Sequence, residues 1–103
     1  MPKVLFTTVP VNWTKSGNFY YQDIAVEGMS EKYSPIVNCQ YGNDQDMNAK
    51  YKEAFGLVHD VDTMDGSVRI WCTSAPTIEF TVKFTIMGWY EIVEYPSGEG
   101  VSF

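Results

Sequence analysis

Between Thr77 and Met87 polar and apolar residues alternate without a break. Ile78, Phe80, Val82, Phe84 and Ile86 fall on one face; Thr77, Glu79, Thr81, Lys83, Thr85 and Met87 fall on the other. A period of two sustained this long predicts a half-buried β-strand. A shorter alternating run precedes it, with Val68, Ile70 and Cys72 opposed to Arg69, Trp71 and Thr73. Asp65-Gly66 in front of that run is a strong hairpin signal, because tight turns need residues that accept positive φ. Ser74-Ala75-Pro76 reads as a second turn. The two runs are therefore predicted to pair, with Arg69 and Trp71 alongside Thr81, Lys83 and Thr85.

The rest of the chain supplies further elements. Lys3 to Val9 predicts a first strand, with Val4, Phe6 and Thr8 on one face, halted by Pro10. Asn12 to Asn18 reads as a loop around Trp13. In Phe19 to Glu27, Tyr20, Ile24 and Val26 share a face with Gln22, and Tyr21, Asp23, Ala25 and Glu27 oppose them. Ser34 to Tyr41 predicts a strand whose apolar face holds Val37 and Cys39. The period then changes. Asp44 or Asn43 can cap a helix carrying Met47, Tyr51, Ala54 and Phe55 at helical spacing, with Gly56 at its C-terminal end. Leu57 to Thr63 is the first arm of the Asp65-Gly66 hairpin, with Leu57, His59 and Val61 expected on one face and Val58, Asp60 and Asp62 on the other. Tyr90 to Tyr95 can extend the last strand.

The expected fold is mainly β: an antiparallel β-sandwich or twisted sheet of about six strands with one short helix. Its 103 residues suit one modest core, a single domain over 3–95 followed by a flexible tail over 96–103. A hydrophobic fraction of 45% with 16% aromatics is globular in character.

Composition narrows the function. A net charge of −6, from 13 acidic and 7 basic residues, disfavours nucleic acid and anionic membranes as partners. No apolar run approaches the roughly 20 residues of a membrane-spanning helix, and no signal peptide is visible. The expectation is a soluble protein made in the cytoplasm without export. Cys39 and Cys72 have no metal-ligand spacing, and whether they pair is open at this point.

Catalytic readings find little support. Asp60, Asp62 and Asp65 form a carboxylate cluster in sequence, yet their spacing is not that of a calcium loop. His59 and Asp60 are adjacent in a strand and point to opposite faces. No phosphate loop or nucleophile motif is present. The expectation is a protein that is not an enzyme, with no cofactor and no metal. Aromatic residues beside Arg and Lys are what interfaces use, and flat aromatic faces also stack on sugars. Arg69, Trp71, Lys83 and Trp89, with Trp13 and Tyr21, are therefore the candidate binding or subunit-interface residues. The alternative is that Trp71 and Trp89 are covered by the helix or by a terminus.

The order of these features resembles a known type of domain. Trp13 lies in a Ser/Thr/Gly loop, followed by Tyr20–Val26 ending at Gly28 and then Ser34-Pro35-Ile36-Val37. A short helix and an apolar strand follow, then Asp65-Gly66-Ser67-Val68-Arg69-Ile70, and Pro76 before Glu79-Phe80-Thr81-Val82. From about Val9 to Trp89 the chain resembles the β-rich C-terminal domain of tail-fibre, baseplate and minor structural proteins of phages and prophages of Gram-positive bacteria. The resemblance implies a virion component that forms a homo-oligomer, commonly a trimer, joins other virion proteins and contacts cell-surface carbohydrate. Such domains usually end a longer chain, whereas here the domain stands almost alone. A small phage-encoded inhibitor of a host defence protein is the alternative, and the acidic charge fits it as well.

Overall fold

The hairpin signalled by Asp65-Gly66 forms, and the fold is built outward from it. The computed structural model describes residues 3–87; the predicted extension Tyr90–Tyr95, the tail 96–103 and Trp89 lie outside the described residues. Strand β5 (Val58–Met64) turns at Asp65-Gly66 into β6 (Ser67–Cys72), with Met64 opposite Ser67. Gly66 takes the left-handed step of this turn at φ +81°, and no non-glycine residue among those described has positive φ. Asp65 therefore stays on the negative side, and the turn draws on glycine at its second position only.

Four further strands precede this hairpin and one follows it. They are β1 (Lys3–Val9), β2 (Thr14–Ser16), β3 (Phe19–Ala25), β4 (Ile36–Cys39) and β7 (Phe80–Ile86). They form two antiparallel sheets: a three-stranded sheet in the order β1-β7-β4 and a four-stranded sheet in the order β2-β3-β6-β5. Seven strands rather than about six are present among the described residues because the predicted loop around Trp13 contains β2. A Gly17-Asn18 turn folds Thr14–Ser16 back onto Phe19–Tyr21.

The sheets share one core. Ile24, Val68, Ile70 and Cys72 come from the four-stranded sheet; Val9, Cys39, Phe80, Val82 and Phe84 come from the three-stranded sheet. This is a β-sandwich in which alternate residues of each strand point to the common interior. The row Phe80, Val82, Phe84 and Ile86 is buried throughout, and so is Val68, Ile70 and Cys72. Gln22, buried among the inward residues of β3, is satisfied because its Nε2 donates to the Pro10 carbonyl at 2.6 Å.

The predicted pairing of the two alternating runs is wrong. β6 already has β3 on one side and β5 on the other, so neither edge is left for β7. Residues 73–79 carry the chain across to the other sheet, where β7 becomes the centre. Both apolar rows still reach the same core, from opposite sheets.

One parity also differs from expectation. A bulge between Val58 and Asp60 inserts His59 as an extra residue. Val58 and Val61 then lie opposite Cys72 and Ile70 on the inner face, and Asp60 and Asp62 lie opposite Trp71 and Arg69 on the outer face. In β1, Val4, Phe6 and Thr8 share one face as expected, and it is the outer one, since Leu5 and Val9 turn inward. Both rows of β1 are apolar, and its register on β7 decides which is buried.

Helix α1 (Gln45–Phe55) closes one end beside β4 and β7. Asp44 caps it, its Oδ1 accepting the backbone N–H groups of Asp46 and Met47 at 3.0 and 3.3 Å. The N–H of Gly56 donates to the Lys52 carbonyl at the other end. Tyr51, Ala54 and Phe55 pack on the core, and Phe55 meets Phe80 edge-on at 6.3 Å between ring centres.

Candidate functional site: the outer face of the four-stranded sheet

Strand pairing gathers the candidate side chains. Tyr21 on β3, Trp71 on β6 and Asp60 on β5 stand in one cross-strand row, with Thr14 of β2 opposite Tyr21. The next row holds Asp23, Arg69 and Asp62. All belong to the outward parity of their strands, since their neighbours Gln22, Ile24, Val68, Ile70 and Cys72 are buried.

Contacts within these rows fix the side chains. Arg69 forms a two-point pair with Asp23, Nε to Oδ1 at 2.6 Å and the second terminal nitrogen to Oδ2 at 2.9 Å. The guanidinium also lies over the Tyr21 ring, 4.7 Å from its centre. Tyr21 and Trp71 are neighbours at 5.1 Å, tilted by 41°. The Trp71 indole Nε1 donates to Asp62 Oδ2 at 3.2 Å. At one end of the face the Phe19 ring stacks on His59 at 4.8 Å, so the bulge gives the histidine an aromatic partner.

The charges follow this geometry. Arg69 holds the Asp23 carboxyl below the usual carboxylate range, chiefly through their hydrogen bond, and Asp23 raises Arg69 in return. Three carboxylates, Asp23, Asp60 and Asp62, accompany one guanidinium, so the face is acidic around an aromatic centre.

The expected site residues separate. Arg69, Trp71 and Tyr21 come together. Lys83 does not join them: it lies on β7, opposite Phe6 and Asn38, on the outer face of the other sheet. Trp13 packs against the core, and its Nε1 is buried without an acceptor among the described residues. Helix α1 packs beside β4 and β7, so it does not cover Trp71. Asp65 is held in its turn, accepting the Glu31 N–H at 3.0 Å, away from Asp60 and Asp62. Among the described residues no group of three or more His, Cys, Asp and Glu could hold a metal. Cys39 and Cys72 are buried free thiols, one on each sheet.

Asp23 is the member of the site that the sequence did not single out, and Asp62 stood out in it only as part of the Asp60/Asp62/Asp65 carboxylate cluster. The outward parity of Asp23 was legible beside Tyr21. Its partnership with Arg69, 46 residues away, depends on the β3–β6 pairing, which no local signal announces. No protein-family model, no curated protein and no solved structure matches the chain.

Proposed function

We propose that this chain is a non-enzymatic recognition module of the phage structural or adhesion kind, and that its Tyr21–Arg69–Trp71 face takes a cell-surface saccharide. The observation that carries the reading is an outward aromatic pair whose positions are fixed by hydrogen-bonded charges. A sugar ring presents an apolar face and a rim of hydroxyls. The aromatic rings supply the flat contact, and Asp60, Asp62 and Asp23 supply acceptors around it. Because Arg69 and Trp71 are already held by Asp23 and Asp62, little side-chain freedom is lost on binding. The buried thiols and the Phe19-stacked histidine offer no nucleophile–base pair, which supports binding over catalysis. The resemblance to tail-fibre and baseplate domains supports a virion setting and assembly from more than one copy.

The test is retention on purified cell walls of Gram-positive bacteria. Wild-type protein is expected to be retained and released by soluble wall glycan. Trp71→Ala, folded by circular dichroism, is expected to pass through. Equal retention of Trp71→Ala and Tyr21→Ala would overturn the reading.

A further inference from the structure

We propose that the outer face of the three-stranded sheet is the docking site of this chain's own residues 88–95. Val4, Phe6, Ile36 and Met87 are 46, 55, 56 and 60% exposed. Strand register groups them: Val4 and Ile36 flank Thr85, and Phe6 and Asn38 flank Lys83. Large apolar side chains grouped on one sheet face mark an association surface, whereas single ones are ordinary. Lys83 is half-buried at the centre of this face, and it has no ion-pair or hydrogen-bond partner among the described residues.

The point at which the chain leaves the sheet identifies the occupant. β7 ends at Ile86, opposite Lys3, and residues 88–103 follow Met87 from the apolar end of the face. The residues that precede Lys3 and Ile36 in the chain are Pro2 and Pro35, which have no N–H to donate, so neither neighbour carries the ladder on beyond β7. Gly88 permits a reversal directly after Met87. Eight extended residues reach about 26 Å and the seven residues of β7 span about 23 Å, so 88–95 matches the strand in length.

Side-chain order and charge fit the same occupant. In an extended chain Trp89, Glu91, Val93 and Tyr95 share one side, and Tyr90, Ile92 and Glu94 share the other. After a reversal at Met87-Gly88, Trp89 falls over the row of Val4, Thr85 and Ile36, and Glu91 falls over the next row, that of Phe6, Lys83 and Asn38. The indole then covers the two apolar side chains, and the carboxylate meets the half-buried ammonium. Residues 88–103 contain Glu91, Glu94 and Glu99 and no Lys or Arg. That charge favours the Lys83 face over the opposite side of the sandwich, where Asp23, Asp60 and Asp62 repel it. The contact lies away from the Tyr21–Arg69–Trp71 face and is independent of the saccharide reading.

Nuclear Overhauser contacts and cross-linking in the full 103-residue chain are the test. The Trp89 indole is expected to contact methyl groups of Val4 and Ile36. In a mixture of labelled and unlabelled chains, the isotope-filtered spectrum is expected to show none of these contacts. Carbodiimide is expected to join Lys83 to Glu91 within one chain, seen as a bridged peptide by mass spectrometry, and the bridge is expected to be lost in Glu91→Gln. Absence of Trp89 contacts to both methyl-bearing residues overturns the proposal. Contacts found only between chains overturn it too, because a second copy then covers the face. A Lys83 that bridges to Glu79 and never to Glu91 does the same.

Discussion

Asp23 and Arg69 stand directly opposite each other on paired strands, and their side chains close a two-point ion pair beneath which the Tyr21 ring lies. Forty-six residues separate them in the chain. The pair ties the centre of the four-stranded sheet to the ring that the saccharide reading needs.

Acid should loosen this arrangement. The folded Asp23 carboxyl titrates below its unfolded value because Arg69 stabilises the ionised form. Its contribution to stability is thus full above the unfolded value, near pH 4, and is lost as pH falls through the lower folded value. Both side chains are substantially exposed, 37% for Arg69 and 47% for Asp23, so water screens the pair and the effect on global stability is small. The difference in urea midpoint between wild type and Asp23→Asn should be larger at pH 6 than at pH 2.5. Arg69→Lys should leave that midpoint nearly unchanged yet alter the near-ultraviolet circular dichroism of Tyr21 and Trp71, because an ammonium cannot reproduce the planar fork.

Asp62 should control the Trp71 indole. The chain has three tryptophans, so three indole N–H resonances are expected in a nitrogen-resolved spectrum. Asp62→Ala removes the acceptor at 3.2 Å and should shift one of them, the same one that Trp71→Phe deletes. Asp62→Asn retains a carbonyl acceptor and should shift it less. A saccharide-binding loss in Asp62→Ala smaller than that in Trp71→Ala is the expected order, since Asp62 positions the ring and Trp71 provides the contact.

How much of this was legible in the sequence follows from what is local. The alternation from Thr77 to Met87, the Asp65-Gly66 turn and the Asp44 cap each depend on residues within one element; the turn and the cap form as expected, and the alternation forms a strand over Phe80–Ile86, its first three residues belonging to the crossing between sheets. Which strands pair is a different matter. Ser74-Ala75-Pro76 resembles a turn, but the edges of β6 were already occupied by β3 and β5. That placed Lys83 beside Trp71 in the sequence reading and puts it on the opposite side of the sandwich in the structure. The inserted His59 had a similar effect on a smaller scale. One extra residue reverses the parity of everything before it, so Val58 rather than His59 lies across from Cys72. In β1 both rows are apolar, and only the partner strand selects between Val4/Phe6 and Leu5/Val9.

The thiols should be inert in the folded protein. Burial pushes Cys72 up to about 11 and raises Cys39, since neither thiolate is solvated in the interior. At pH 8 a thiol reagent should label both residues no faster than the chain unfolds, and two equivalents should react in urea. The same shift sets an alkaline limit. The folded protein holds these protons more tightly than the unfolded chain does, so stability falls as pH rises above the ordinary thiol value of about 8.5. Cys72→Ala should remove most of that alkaline slope.

Gly66 tests the hairpin from which the fold is built. Its φ of +81° is unfavourable for an L-residue, while no atom lies within 4 Å of where a Cβ would stand. The cost of Gly66→Ala is then backbone strain alone, about 1–2 kcal/mol. The turn is also tied down on both sides, which prevents it from relaxing to another conformation. The Gly66 N–H donates to the Met29 carbonyl, and the Gly66 carbonyl accepts the Val26 N–H, each at 2.9 Å. Denaturant unfolding should show Gly66→Ala destabilised by that amount and Gly66→Asn by less, because asparagine tolerates the left-handed region better. A D-alanine at position 66, introduced by chemical synthesis, should reverse the sign. It fits the positive φ without a clash and restricts the unfolded chain, stabilising the fold by about 0.4–1 kcal/mol. Equal losses for the L- and D-alanine variants would mean that the space around the turn, rather than its φ, sets the requirement for glycine.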